Sequence, residues 1–206
     1  MSHRVCPAWM GYLLLCPIRR WGQDPEEILA PYVAGGMTVL EVGPGMGFFT
    51  LPMARLVGPA GKVVCADVQP KMLEALRNRA AEAGLAARID TRVCKATSLG
   101  IGDLAGKVDF VLAYAVAHEI RDVQRLFAEI AVAMKPGAGC LLAEPRFHVS
   151  VREFARTLAV AQACGLQVGG RPRIRMSQAA VLVRSWAEGS SEGPSHPFFA
   201  PAEGYD

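Results

Sequence analysis

Residues 43–47 read Gly-Pro-Gly-Met-Gly, directly after the apolar run 38–42. Gly43, Gly45 and Gly47 permit dihedrals that other residues avoid and let a ligand come close to the backbone. The spacing is GxGxG, not the GxGxxG of dinucleotide-binding turns. A Gly-rich turn alone is weak evidence, but a second feature agrees with it. Asp67 closes the next apolar run, and a carboxylate at that strand end can accept both hydroxyls of a ribose. The plainer alternative is an Asp that opens the turn before Pro70. Two histidines, His118 and His148, follow the fourth and fifth apolar runs. An imidazole is the usual general base near neutral pH. Each also has a structural alternative, His118 within its loop and His148 ahead of a helix cap at Ser150.

The elements that must position these residues alternate along the chain. Strands are predicted over 38–42, 62–68, 89–94, 108–115 and 139–143. Helices are predicted over 48–57 and 70–83. Pro52 requires a place in the first turn of its helix, and Gly84 suits a C-terminal cap. Met72, Leu73, Leu76 and Ala80 form the apolar face of the second helix. A further helix starts at Asp122 as N-cap, with Leu126, Phe127, Ile130 and Met134 at helical spacing, and stops at Lys135-Pro136-Gly137. Ser150-Val151-Arg152-Glu153 is a capping box that opens a helix ending near Gly165. Two short strands follow, over 166–168 and 179–184, too close together for a helical crossover. They predict a hairpin with an antiparallel strand at or near the edge of a mainly parallel α/β sheet.

Four segments in this order resemble the motifs of the class I S-adenosylmethionine (SAM)-dependent methyltransferases. They are residues 39–47, the acidic run 64–68, the run 108–112 continuing through His118-Glu119, and Met134-Lys135-Pro136-Gly137 with 141–145. Within the class, the likeness is to the branch typified by ubiquinone and menaquinone biosynthesis, and it covers roughly residues 37–185. The resemblance implies a Rossmann-like fold with a seven-stranded, mostly parallel sheet, a C-terminal antiparallel hairpin and helices on both faces. It implies SAM as cofactor, without a metal. Gly43, Gly45 and Gly47 would pack against its methionine part, and Glu41 would help fix the amino group. Asp67 would hold the ribose and Val68 flank the adenine. Met72, Lys95, Ala96 and Ala113 complete the implied cofactor set. The family often has an Asp near Lys95, and Lys95 cannot accept a hydrogen bond; backbone groups or Thr97 are the substitutes on offer. Tyr114 ends the fourth strand where the reactive methyl would point, and with His118 and His148 it makes the implied catalytic set.

The length of 206 residues suits one domain, and the formal charge of +3 is mild. Lys and Arg are scattered, so the charge outlines no nucleic-acid surface. No apolar run approaches the roughly 20 residues a membrane helix needs, and a cytoplasmic location follows by default. The six cysteines include no CxxC pair, so buried thiols are expected. Cys6 and Cys16, with His3, are the one soft-metal alternative. Residues 1–36 are read as a helical lid carrying Tyr12, Arg19, Arg20 and Trp21, with Asp24-Pro25-Glu26-Glu27 starting a helix to about Val33. Residues 37–186 are the cofactor domain, and 187–206 a flexible tail. The absence of an inserted recognition domain favours a small-molecule acceptor. The sequence fixes neither that acceptor nor an oligomeric state. Three other functions fit parts of the pattern: a SAM-binding sensor or partner subunit without turnover, a nicotinamide-dependent oxidoreductase, and an alkyl or aminopropyl transferase.

Overall fold

The structure is a computed structural model that describes residues 24–185. Seven strands form one sheet: β1 (Thr38–Val42), β2 (Lys62–Asp67), β3 (Ile89–Val93), β4 (Val108–Tyr114), β5 (Met134–Pro145), β6 (Leu166–Gly170) and β7 (Ser177–Arg184). Their order is β3-β2-β1-β4-β5-β7-β6. The first five strands pair in parallel, while β7 pairs antiparallel with both β5 and β6. The β6–β7 hairpin predicted from the short connection is therefore present, and β7 enters between β5 and β6.

Among the described residues five α-helices cover the sheet: α1 (Pro25–Leu29), α2 (Thr50–Leu56), α3 (Pro70–Glu82), α4 (Val123–Ala133) and α5 (Val151–Ala163). Strand alternation divides the core in two. Leu40, Val42, Val64, Val111, Cys140 and Leu142 pack with Phe127 and Ile130 of α4 and Phe154 and Leu158 of α5. Val39, Val63, Cys65, Phe110, Leu112 and Leu141 pack on the other face with Leu29 of α1, Met53 of α2 and Leu73 and Leu76 of α3. Strands β1, β2 and β4 are almost wholly buried, as expected of a parallel sheet covered on both faces.

The capping signals act where they were read. Asp24 accepts from Glu26 N–H, Asp122 from Arg125 N–H, and Ser150 and Glu153 make both bonds of a capping box. Most element ends shift by one or two residues from expectation, and two boundaries differ by more. The first helix is α-helical only through Leu29 and continues as turns to Tyr32, whose ring stacks on Phe110 at 5.5 Å. Met134 leaves the helical face and opens β5 opposite Val108, and the register then jumps so that Phe110 faces Gly139. An apolar residue at that point satisfies either element, because it is buried in both; Gly137 at φ 76° lets the backbone turn there.

Tyr12, Arg19, Arg20 and Trp21, the pair Cys6 and Cys16 with His3, and the tail 187–206 lie outside the described residues. Among the described residues no helix is long and apolar enough to cross a membrane, and no group of three metal-binding side chains occurs.

The capping box sets where α5 begins, with its N-cap Ser150 two residues after His148. Replacing Ser150 with Ala should cost about 1 kcal/mol, read as a fall in Tm of roughly 2–4 °C. An unchanged Tm would mean that the helix end is held by other contacts.

Candidate active site

Parallel strands deliver their carboxyl ends to one edge, and the chemistry gathers there. The buried polar residues of the described core are Glu41, Thr50, Asp67, Glu144 and Ser177. All belong to that edge: four lie on β1, β2, β5 and β7, and Thr50 opens α2. Burying polar groups is costly unless each finds a partner, so their concentration at one end of an otherwise apolar sheet marks a site.

The loop after β1 is shaped by its glycines. Gly43, Gly45 and Gly47 all have positive φ, at 68°, 54° and 86°. A Cβ on Gly43 would come within 2.6 Å of Val116 Cγ2, and one on Gly47 within 2.4 Å of Leu76 Cδ1. A Cβ on Gly45 would meet no atom within 4 Å. Two glycines therefore serve internal packing, and the middle one leaves open space. Arg79 of α3 donates to the carbonyl of Met46 and ties the loop down.

Asp67 ends β2 beside this loop. Its Oδ1 accepts from Gln69 N–H at 2.9 Å and its Oδ2 from Gly45 N–H at 3.4 Å. Burial pushes its carboxyl pKa up, and the backbone N–H groups of Gln69, Gly45 and Val68 act against that. No cation pairs with it among the described residues. A carboxylate held by backbone donors, one of them long, beside an open glycine, fits a ligand that brings hydroxyl donors. Val68 is partly exposed next to it. Cys94 N–H donates to the Asp67 carbonyl at 2.9 Å, and Lys95 and Ser98 exchange backbone bonds across a tight turn. Lys95, Ala96 and Thr97 are exposed on that turn. Met72 and Ala113 are buried, Met72 on α3 and Ala113 in the core beneath α4 and α5.

Glu41 points to the α2 side. Thr50 Oγ1 donates to its Oε2 at 2.5 Å, and Cys65 Sγ lies 3.8 Å from the same oxygen. Burial pushes its pKa up to about 7, with the Thr50 and Cys65 hydrogen bonds opposing and the charge of Asp67 adding to the rise.

The sheet separates the three residues read as catalytic. Tyr114 faces the α2 side, where its ring lies 4.5 Å from Phe49 and its hydroxyl 3.1 Å from Ser177 Oγ. His118 and His148 come together with rings 5.8 Å apart, and His118 meets Glu144 on the α4–α5 side of the sheet. Ala115 turns the chain between Tyr114 and Val116 at φ 55°, a left-handed conformation rarely taken by alanine. Arg146, just past β5, is exposed and donates through Nε to Ser177 O at 3.1 Å.

Sequence reasoning missed Glu144 as a site residue, along with Thr50 and Arg79. Glu144 was visible only as the charged residue closing an apolar strand. That position repeats the pattern of Asp67 at the end of β2 and was the available signal.

Residues 39–137 match the family model described as a methyltransferase domain. The ubiquinone/menaquinone biosynthesis C-methyltransferase of Hahella chejuensis is 31% identical over 112 residues, 54% of this chain and 44% of that protein. The ubiquinone biosynthesis O-methyltransferase of a Chelativorans species is 30% identical over 135 residues, 66% of this chain and 49% of that protein. The chain thus spans about half the length of these relatives. A SAM-dependent methyltransferase from Aquifex aeolicus has the same fold, with a TM-score of 0.77, 23% identity, and coverage of 87% of this chain and 98% of that one. The strand order, the glycine turn and the match over residues 39–137 agree on a class I methyltransferase domain. In sequence and in fold the chain is similar to these methyltransferases, as its four motifs implied.

Two outcomes test this geometry. Gly45→Ala should fold, losing about 1–2 kcal/mol to its left-handed backbone, while S-adenosylhomocysteine affinity falls more than about tenfold because the methyl group fills the open space. Retained affinity in calorimetry would show that nothing approaches Gly45. For Glu41, a folded-state pKa above the unfolded value means that stability is lost as pH rises from about 4.5 to about 7. Glu41→Gln should therefore raise the Tm of the ligand-free protein at pH 8, by the equivalent of about 2–3 kcal/mol. That gain should vanish near pH 4.5, and an equal shift at both pH values would refute the assignment.

Proposed function

We propose that the protein transfers the SAM methyl group to a small-molecule acceptor at the carboxyl edge of its sheet. The observation that carries this reading is the open space over Gly45 beside a buried carboxylate that has no cationic partner among the described residues. Asp67 is assigned to the ribose hydroxyls, and Gly43, Gly45 and Gly47 to the methionine part. Glu41 is assigned to the amino group, where a cation would relieve its buried charge. Val68 and Ala96 are assigned to the adenine faces. Cys94 N–H already serves the Asp67 carbonyl, so the adenine edge falls to Lys95, Thr97 or the backbone of their turn. Met72 and Ala113 are assigned to the floor beneath the cofactor.

The sulfonium supplies an electrophilic methyl group that needs no metal to be transferred. The chain's own task is then to align the acceptor at about 3–3.5 Å and to exclude water. His118 and His148 flank the acceptor, and Tyr114 supports the turn at Ala115 from the other face. The relatives named for C- and O-methylation in ubiquinone biosynthesis support a small-molecule acceptor. A cytoplasmic location accords with the membrane result above. The unit boundaries are assigned as 1–36 for a lid, 37–186 for the cofactor domain and 187–206 for a tail.

Calorimetry with SAM, S-adenosylhomocysteine and NADH tests the cofactor class, and binding of the first two without the third is expected. Asp67→Ala should weaken SAM binding by about 1.5–3 kcal/mol, the worth of hydrogen bonds to a charged group. Unchanged affinity would remove Asp67 from the ribose. Incubation with labelled SAM and a panel of acceptors separates an enzyme from a silent SAM-binding protein.

A further inference from the structure

Glu144 is the last core residue of β5 before Pro145 and is 1% exposed. A buried carboxylate there must be matched by donors, and the structure supplies three. Oε1 accepts from Ala117 N–H at 2.8 Å and from His118 N–H at 3.3 Å. Oε2 lies 2.5 Å from His118 Nδ1. The two oxygens have separate tasks. One holds the backbone of the short 3₁₀ turn Ala117–Glu119, and the other holds the imidazole that this turn carries. A carboxylate only accepts, so in the neutral imidazole Nδ1 bears the hydrogen and Nε2 keeps its lone pair. The His118 side chain is a quarter exposed, so it is not sealed in the core. Two residues before it, Val116 packs on Gly43 of the cofactor loop.

We infer that Glu144 is a positioning residue that fixes His118 as the proton acceptor for a methyl acceptor of the hydroxyl class. This inference rests on reading the site as a SAM-dependent methyltransferase. A thiol provides enough thiolate near neutral pH, and a neutral amine attacks through its own lone pair, so neither needs a base at the start. A hydroxyl needs one as it attacks. In the proposed step the acceptor oxygen forms a bond to the methyl carbon and the carbon–sulfur bond breaks. Its electron pair stays on sulfur as S-adenosylhomocysteine forms, and the hydroxyl proton passes to Nε2 of His118. The resulting imidazolium faces Glu144, which neutralises it. Three titratable groups bear on that imidazole: Glu144 from β5, Glu119 from its own turn, and the stacked His148. The bond to Glu144 is the main cause of a raised His118 pKa, opposed by burial.

The test begins with the wild-type full chain loaded with S-adenosylhomocysteine. Imidazole NMR should show neutral His118 with its hydrogen on Nδ1 and a pKa above the ordinary histidine value, measurements that need no variant to fold. Glu144→Gln keeps an oxygen for the Ala117 and His118 N–H groups and should lower that pKa. Labelled SAM is then offered with 4-hydroxybenzoate and catechol as phenol probes, and with 2-mercaptoethanol as thiol probe. Phenol methylation should rise with pH through the His118 pKa and fall about 10²–10⁴-fold in His118→Gln. In Glu144→Gln the rising limb should move to lower pH as the maximal rate drops by about tenfold or more. Four results would each overturn the inference: a neutral His118 with its hydrogen on Nε2, a pKa unmoved in folded Glu144→Gln, transfer confined to the thiol or indifferent to His118→Gln, or no phenol methylated by SAM-loaded protein. If SAM fails to bind the wild type, the cofactor reading falls by itself, and the ligand-free imidazole spectra still judge the role of Glu144.

Discussion

The site depends on how closely three chain segments approach at the carboxyl edge of the sheet. Gly43 N–H donates to Ala66 O at 2.9 Å, drawing the loop after β1 onto the end of β2. From the other side Val116 sits where a Gly43 side chain would be, drawing in the loop after β4. A larger residue at position 43 would separate both neighbours. Asp67 would then lose its contact with Gly45, and the turn bearing His118 would move relative to the loop. The absence of one methyl group thus fixes the distance between the loop after β1 and the loop after β4.

Around that contact three carboxylates are buried among the described residues, Glu41, Asp67 and Glu144, in different environments. Glu41 is satisfied by neutral side chains and has its pKa driven up by burial. Asp67 is met by backbone N–H groups. Glu144 binds a turn and an imidazole together. These partners suit three kinds of work: meeting an incoming cation, accepting hydroxyls, and orienting a base. The apolar core beneath them keeps the local dielectric low, which makes each partner matter more. Strain is placed at the same edge. Ala115 and Met176 are the non-glycine residues at positive φ among those described, one after β4 and one before β7. The carbonyl of Met176 accepts from Arg146 N–H at 3.0 Å, so the β7 turn is held against the end of β5, next to the histidines.

Periodicity and capping chemistry are local, and the chain displayed them openly. The alternation of strands and helices, the caps at Asp24, Asp122 and Ser150, and the closing hairpin all follow from neighbouring residues. The glycine turn and Asp67 were legible too, because a close-approach loop and an acidic strand end each leave a mark in one dimension. Met134 was not, since an apolar residue at a helix–strand junction suits both elements and only the pairing with Val108 decides.

What the residues could not state was which side of the sheet each strand end faces relative to its partners. Tyr114, His118 and His148 look equivalent as polar residues beyond apolar runs. The pleat sends Tyr114 to the α2 face, and the 3₁₀ turn returns His118 to the opposite one, onto a carboxylate 26 positions further along the chain. The sequence by itself determined the α/β class, the glycine turn and the helix ends, because these depend on residues a few positions apart. The tertiary structure alone decided that Glu144 and His118 are partners. That contact exists only because β4 and β5 lie side by side in parallel and end at the same edge.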